Sequence, residues 1–223
     1  MMLDTLEWQR NPIGPEPVFL TEMEGTSYPH MENGTVFTIV RPEEKTLILD
    51  YLGAKVKPTV LDFGCGVGRH ANFIRQERPE AEIWGVESEP RLLEICRNNH
   101  DERFVADGEI VNKTDFDMAL LLGNNACIFG NEGRTQKKYK WLGERLRSGG
   151  YLLGEFSSLG GGDHHAAELK ISYPGQPNPS VPFQWFFMSE PFVKHLLLEL
   201  GFEPPAFRTS RNGRARFFIA QKS

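Results

Sequence analysis

A short apolar run that ends in three alternating glycines and leads straight into a helix dominates this sequence: Thr59-Val-Leu-Asp-Phe-Gly-Cys-Gly-Val-Gly-Arg-His70. Val60, Leu61 and Phe63 give the β-favouring pattern of a central parallel strand, and Gly64, Gly66 and Gly68 end it at once. Glycine at those places lets the backbone turn tightly and lets another group lie against it with no Cβ between them. The spacing is G-x-G-x-G, which separates it from the dinucleotide fingerprint G-x-G-x-x-G, because Arg69 stands where the last glycine of that fingerprint would be.

The order of elements after this turn is as informative as the turn. A helix begins near Arg69, with Ala71 and Ile74 on one face, and stops at Pro79; Ala81 to Glu87 reads as the next strand and ends in an acid. Glu87 lies about twenty residues beyond the turn, where a doubly wound fold places a carboxylate that accepts hydrogen bonds from ribose hydroxyls. A helix over Pro90–Arg97, a strand over Arg103–Ala106 closed by Asp107-Gly108, and a strand over Phe116–Leu122 ended by Gly123-Asn124-Asn125 follow. The next helix sets Tyr139, Leu142 and Leu146 on one face, and Gly149-Gly150 leads into a strand over Tyr151–Glu155. Repeated β-α steps predict a parallel sheet with right-handed crossovers.

The C-terminal end is a second, independent signal. Ser189 predicts the N-cap of a helix with Phe192, Val193, Leu196, Leu197 and Leu200 on its apolar face, and Gly201 stands where that helix should stop. Asn212-Gly213 then separates two strand-like runs, Ala206–Ser210 and Ala215–Ala220, a strong hairpin signal. The predicted fold is therefore α/β: a doubly wound, mostly parallel seven-stranded sheet finished by an antiparallel C-terminal strand.

The hydrophobic strand with Asp62 and the glycine spacing resembles motif I of the class I S-adenosylmethionine-dependent methyltransferases, and the terminal hairpin is also a feature of that fold. The resemblance runs from about Pro42 to the C-terminus. It implies S-adenosylmethionine as cofactor, bound by Asp62, Gly64, Cys65, Gly66, Gly68, Arg69, Glu87, Asp107, Gly108 and Gly123. Within that set it implies Glu87 on the ribose, Asp107 at the adenine amino group, Arg69 as a partner for a carboxylate and Gly123 near the methionine moiety. Gly123-Asn124-Asn125 resembles the Gly-Asn turn of glycine-type N-methyltransferases that act on small amino compounds, and it lacks the proline-containing signatures of enzymes that modify bases or glutamine. Asn124 and Asn125 are accordingly candidate catalytic residues, although an asparagine after a glycine also serves simply to make a turn, and Tyr28 joins them as part of an aromatic cage suited to a cationic sulfonium or ammonium.

Composition bounds the rest. The chain has 223 residues, a formal charge of −5 and a pI near 5.7, which argues against nucleic acid as a partner. Lys137-Lys138-Tyr139-Lys140 reads as a solvated helix face. Three cysteines, Cys65, Cys96 and Cys127, are odd in number and lie in core-like elements, so reduced structural thiols and a cytoplasmic location are expected. No basic, apolar leader or membrane-length run is present, so no membrane partner is expected.

Two regions fall outside the core pattern: an N-terminal extension over 1–41, a candidate lid, and an insertion at about 157–188 within the domain that spans 42–223. His164 and His165 in the insertion read as surface-loop residues rather than a metal site, and no metal is expected; Trp185 suits either an aromatic cage or core packing. The expected activity is methyl transfer to N or O of a small molecule. The alternative is a non-methylating use of the same cofactor, such as cyclisation to azetidine-2-carboxylate with release of methylthioadenosine, and a third reading is a binding protein that has kept the fold.

Overall fold

The computed structural model describes residues 19–23, 26–30, 40–100, 103–106, 111–157, 164–172, 182–211, 213 and 215–223. Its main sheet has seven strands: β3 (Thr59–Phe63), β4 (Glu82–Val86), β5 (Phe104–Val105), β6 (Phe116–Leu121), β7 (Leu146–Phe156), β10 (Ala206–Thr209) and β11 (Arg216–Gln221). They lie in the order β10-β11-β7-β6-β3-β4-β5. Neighbours from β7 to β5 pair in parallel, and β11 runs antiparallel to both β7 and β10. The expected α/β class, parallel sheet and antiparallel C-terminal strand are all present.

Alternation along the strands divides the core between the two faces of this sheet. Leu61, Phe63, Ala119 and Leu121 point to one face, where they meet Tyr139 and Leu142 of helix α4 (Glu132–Gly143) and Val193, Leu196 and Leu197 of α5 (Glu190–Glu199). Val60, Met118 and Leu120 point to the other, against Leu47 and Ile48 of α1 (Pro42–Leu52) and Ile74 of α2 (Arg69–Glu77), with α3 (Pro90–Asn99) adding Leu93 and Cys96. Ser189 caps α5 as expected, its hydroxyl accepting the Phe192 N–H at 3.3 Å.

Three departures from the sequence reading have physical causes. Leu146 is the first residue of β7 and does not belong to the helix face: α4 ends at Gly143, and the i+4 spacing from Leu142 is met by a strand residue that enters the same core. Helix α1 was not anticipated, although Pro42 at its first turn and the acids Glu43 and Glu44 are ordinary helix-start signals. The N-terminal extension and the insertion, expected only as irregular segments, contribute strands to one further sheet. β1 (Phe19–Met23), β2 (Thr26–His30), β8 (His165–Ser172) and β9 (Phe183–Phe187) are antiparallel in the order β2-β1-β8-β9. Segments about 150 residues apart in sequence thus complete one another's hydrogen bonding, which no local pattern can reveal.

Candidate active site

The C-terminal ends of β3, β4, β6 and β7 meet at one edge of the sheet, where open α/β sheets hold their ligands. All three glycines after β3 have positive φ, +75°, +58° and +83° for Gly64, Gly66 and Gly68, and their surroundings differ. A Cβ on Gly64 would lie 2.5 Å from Asn125 Nδ2, and one on Gly68 would lie 2.3 Å from His100 Nε2, so both positions are filled by the protein's own side chains. Among the described residues a Cβ on Gly66 would meet nothing within 4 Å. Gly66 is therefore the bare face of the turn, the place where a ligand can lie against backbone.

Glu87, at the end of β4, faces this turn and is 9% exposed. Its Oε2 accepts the Gly66 N–H at 2.9 Å and its Oε1 accepts the Glu89 N–H at 2.9 Å, so both oxygens are fixed and each keeps a free lone pair. Burial pushes its carboxyl above the usual carboxylate range, against the lowering effect of those two N–H groups.

Beneath the turn, on the α1/α2 face of the sheet, lies a buried set of charges. Glu44 of α1 is fully buried and accepts from Arg69 Nη2 at 2.7 Å, Arg69 Nη1 at 3.2 Å, Arg41 Nη2 at 2.9 Å and the Arg41 N–H at 2.8 Å. Burial alone would push its carboxyl up, but the His70, Arg69 and Arg41 charges hold it well below the usual range. Arg41 also donates to Oε2 of Glu155, near the end of β7, and that same oxygen accepts the Gly123 N–H at 2.8 Å. His70 sits between Asp62 and Glu44, with Nδ1 at 3.4 Å from Asp62 Oδ2 and Nε2 at 3.5 Å from Glu44 Oε1. These are charge contacts rather than aligned hydrogen bonds, and neither Asp62 oxygen accepts one. Burial opposes the imidazolium, but the Asp62 charge outweighs it and raises the His70 pKa.

The carboxylates Glu44, Asp62, Glu87 and Glu155 outnumber the guanidinium groups of Arg41 and Arg69, and His70 offsets only part of the difference. A site so built favours a cation. The bare Gly66 face and the fixed Glu87 carboxylate together fit a ligand with ribose hydroxyls, and the excess of acids suits a sulfonium or ammonium charge. Arg69 does hold a carboxylate, that of Glu44.

The turn after β6 completes the site. Gly123 has φ +71°, and Asn124 adopts the left-handed region at φ 63°. The Asn124 Oδ1 accepts from the Ser157 hydroxyl at 3.0 Å. Asn125 Nδ2 donates to the carbonyls of Phe63 at 3.2 Å and Gly64 at 2.7 Å, binding this turn to the glycine turn. The two asparagines should therefore separate on substitution. Asn125→Ala loses both clamping bonds and should weaken S-adenosylhomocysteine binding together with turnover, by roughly 1 to 3 kcal/mol. Asn124→Ala should lower turnover and leave that binding near wild type, and calorimetry with steady-state kinetics would check both.

The remaining candidates are distributed as follows. Asp62, Gly64, Cys65, Gly66, Gly68, Arg69, Glu87, Gly123, Asn124 and Asn125 come together at this edge. Cys65 is buried with its Sγ 3.8 Å from that of Cys96, so its thiol faces the protein and leaves only backbone for a ligand. Asp107 and Gly108 lie outside the described residues. Tyr28 is in β2 opposite Thr21, and its side chain lies outside them as well. His164 rests 4.1 Å from the Phe192 ring and 3.4 Å from Glu132 Oε2, and His165 stacks on Phe187. Among the described residues no cluster of His, Cys, Asp or Glu could hold a metal. Trp185 is half-buried and packs against the core. Arg41, Glu44, His70 and Glu155 were missed by the sequence reading; the signal available was Glu155 at a strand's carboxyl end and His70 next to the glycine turn.

A family model described as a methyltransferase domain matches residues 60–150, the segment that carries this turn, Glu87 and Gly123. The structure is similar to a S-adenosylmethionine-dependent methyltransferase from Bacteroides fragilis solved with S-adenosyl-L-homocysteine, with a TM-score of 0.73 at 15% identity over 98% of this chain and 92% of that one. It is also similar to CalS10, an amino pentose methyltransferase from Micromonospora echinaspora, with a TM-score of 0.62 at 17% identity over 81% and 91% of the two chains. A curated relative, release factor glutamine methyltransferase of Burkholderia pseudomallei (strain K96243), is 39% identical over 64 residues, which is 27% of this chain and 22% of that protein's length. The fold is that of S-adenosylmethionine-dependent methyltransferases of known structure, and residues 60–150 match the methyltransferase-domain model.

Proposed function

We propose that this protein transfers a methyl group from S-adenosylmethionine to N or O of a small molecule. The observation that carries the reading is the bare Gly66 face beside a fixed Glu87 carboxylate, over a buried excess of acids and next to the Gly123–Asn125 turn. When bound, the cofactor supplies a methyl group already activated by its sulfonium. What the chain must then do is hold donor and acceptor in line and keep water out, and no covalent intermediate is needed. Glu87 offers acceptors for ribose hydroxyls. Asp62 offers a buried carboxylate below the turn, in charge contact with His70. Asn125 fixes the distance between the glycine turn and the turn after β6.

A small acceptor is supported by the absence of a basic stripe in a chain of charge −5 and by the CalS10 likeness, since that protein is described as acting on an amino pentose. No helix among the described residues is long and apolar enough to cross a membrane. The test is mass-spectrometric analysis of the purified protein incubated with S-adenosylmethionine, first alone and then with small amines, amino sugars and alcohols. S-adenosylhomocysteine together with a methylated acceptor supports the reading. Methylthioadenosine in its place would assign cyclisation, and robust methylation of RNA, DNA or a folded protein would contradict a small acceptor.

A further inference from the structure

His70 stands two positions beyond the glycine turn, is 2% exposed, and has no part in the methyl transfer described above. The charged groups that face it are Asp62 from β3, Glu44 from α1 and its own neighbour on α2, Arg69. Among the described residues neither ring nitrogen has a hydrogen-bond partner, and neither Asp62 oxygen has one, so the ring meets the two acids at 3.4 and 3.5 Å through charge. The Asp62 charge outweighs burial and raises the His70 pKa, so the free site carries a proton that an incoming cation can displace.

Imidazole changes its charge near neutral pH, whereas the guanidinium groups beside it do not. Below the turn Glu44, Asp62 and Glu155 are set against Arg41, Arg69 and His70. With the imidazole protonated the two signs are even in number; with it neutral one acid is in excess, and a cation lying on the turn is held more tightly. The ligand face is within reach of these charges. Asp62 contributes to holding both the Glu87 carboxyl and the Cys65 thiol upward, and Arg69 Nη2 lies 3.0 Å from where a Cβ on Gly123 would stand. S-adenosylmethionine and S-adenosylhomocysteine offer that face the same base, ribose, amine and carboxylate. They differ at sulfur, by one methyl group and one positive charge, and only the sulfonium is repelled by an imidazolium.

We infer that His70 sets how strongly the site prefers the sulfonium cofactor over its thioether product. The sulfonium and the His70 proton compete: S-adenosylmethionine drives that proton into solvent, and S-adenosylhomocysteine leaves it in place. Below the His70 titration the imidazolium persists and the preference is small. As pH rises through it, the preference for S-adenosylmethionine grows.

The test uses the full chain with no acceptor present, so it does not depend on what receives the methyl. Protein labelled with nitrogen-15 at histidine is titrated from about pH 5.5 to about pH 8.5, free and saturated with each ligand, and the imidazole nitrogen shifts are followed. The His70 midpoint should fall by about 0.5 to 1 with S-adenosylmethionine and scarcely move with S-adenosylhomocysteine. By linkage, the ratio of the product's Kd to the cofactor's should rise about threefold to tenfold across the titration. Calorimetry over the same range measures that ratio in wild type, His70→Gln and His70→Asn, where this rise should be lost. Glu87 and Glu155, both pushed upward by burial, and the ligand's own amine are common to all three proteins and drop out of the comparison. The resonance is assigned by its loss in either variant and its persistence in His100→Asn, since His100 lies beside Gly68. Equal His70 midpoints with the two ligands would overturn the inference, and so would an unchanged rise in a folded His70 variant. Should neither variant fold, the midpoints in His100→Asn and wild type decide alone. Failure of the wild type to bind either ligand would overturn the cofactor face together with this role of His70, whereas equal midpoints with both ligands bound would overturn only the latter.

Discussion

Glu44→Ala should lower folding stability by about 3 to 5 kcal/mol, the cost of removing one partner from a buried ion network. Glu44 is fully buried and receives four hydrogen bonds from Arg41 and Arg69, and Arg69 is itself only 7% exposed. Without that carboxylate the Arg69 guanidinium, beside Gly123, loses its ion pair with Glu44, and Arg41 retains Glu155. Glu44→Gln keeps the shape and an acceptor oxygen while losing the charge, so it should fall between wild type and alanine. The exposed Arg208–Asp50 pair is the contrast: Asp50→Ala should scarcely shift the denaturation midpoint, since solvent already screens that contact. Urea denaturation of the three variants checks the order. An Asp50-sized effect at Glu44 would mean that the network is not formed.

Gly66→Asn should leave the fold nearly unchanged and abolish binding of S-adenosylhomocysteine. Asparagine tolerates positive φ better than other residues with a Cβ, and a Cβ at Gly66 meets no atom of the described residues within 4 Å, so the folded state has little to lose. The cradle has much to lose, because the new side chain occupies the backbone face on which a ligand must lie. Gly64→Ala makes the comparison sharper. There a Cβ meets the Asn125 amide at 2.5 Å, so stability and binding should fall together. Thermal denaturation paired with calorimetry separates the two patterns, and undiminished binding by a folded Gly66→Asn protein would move the site elsewhere.

How much of this was legible in the sequence depended on the range of the interactions involved. The β3 strand, its glycine turn, Glu87 and the Asn-Gly hairpin are local patterns in which a backbone demand is met by residues a few positions apart, and all appear in the structure except Asn212, which lies outside the described residues. The parallel order follows from repeated β-α steps. What was not legible is what the fold joins across distance. Arg41, Glu44, Arg69 and Glu155 come from three elements, and their charges become interpretable only once burial leaves them no solvent. The strands of the second sheet are similarly separated, residues 19–23 pairing with the strand over His165–Ser172. Asn125 was legible as a residue of the turn after β6; that its amide closes on Phe63 and Gly64 required the juxtaposition of β3 and β6.

The central claim is that the Gly66 and Glu87 surface holds the cofactor, and calorimetric titration of S-adenosylhomocysteine into wild type and Glu87→Ala tests it most directly. Glu87 is held by the Gly66 and Glu89 N–H groups with lone pairs to spare, and losing its contacts to both ribose hydroxyls costs roughly 1.5 to 3 kcal/mol, or about tenfold to a hundredfold in affinity. The account predicts saturable one-to-one binding by the wild type and a loss of that size in a folded Glu87→Ala protein. No binding by the wild type, or equal affinity in the two proteins, would contradict it.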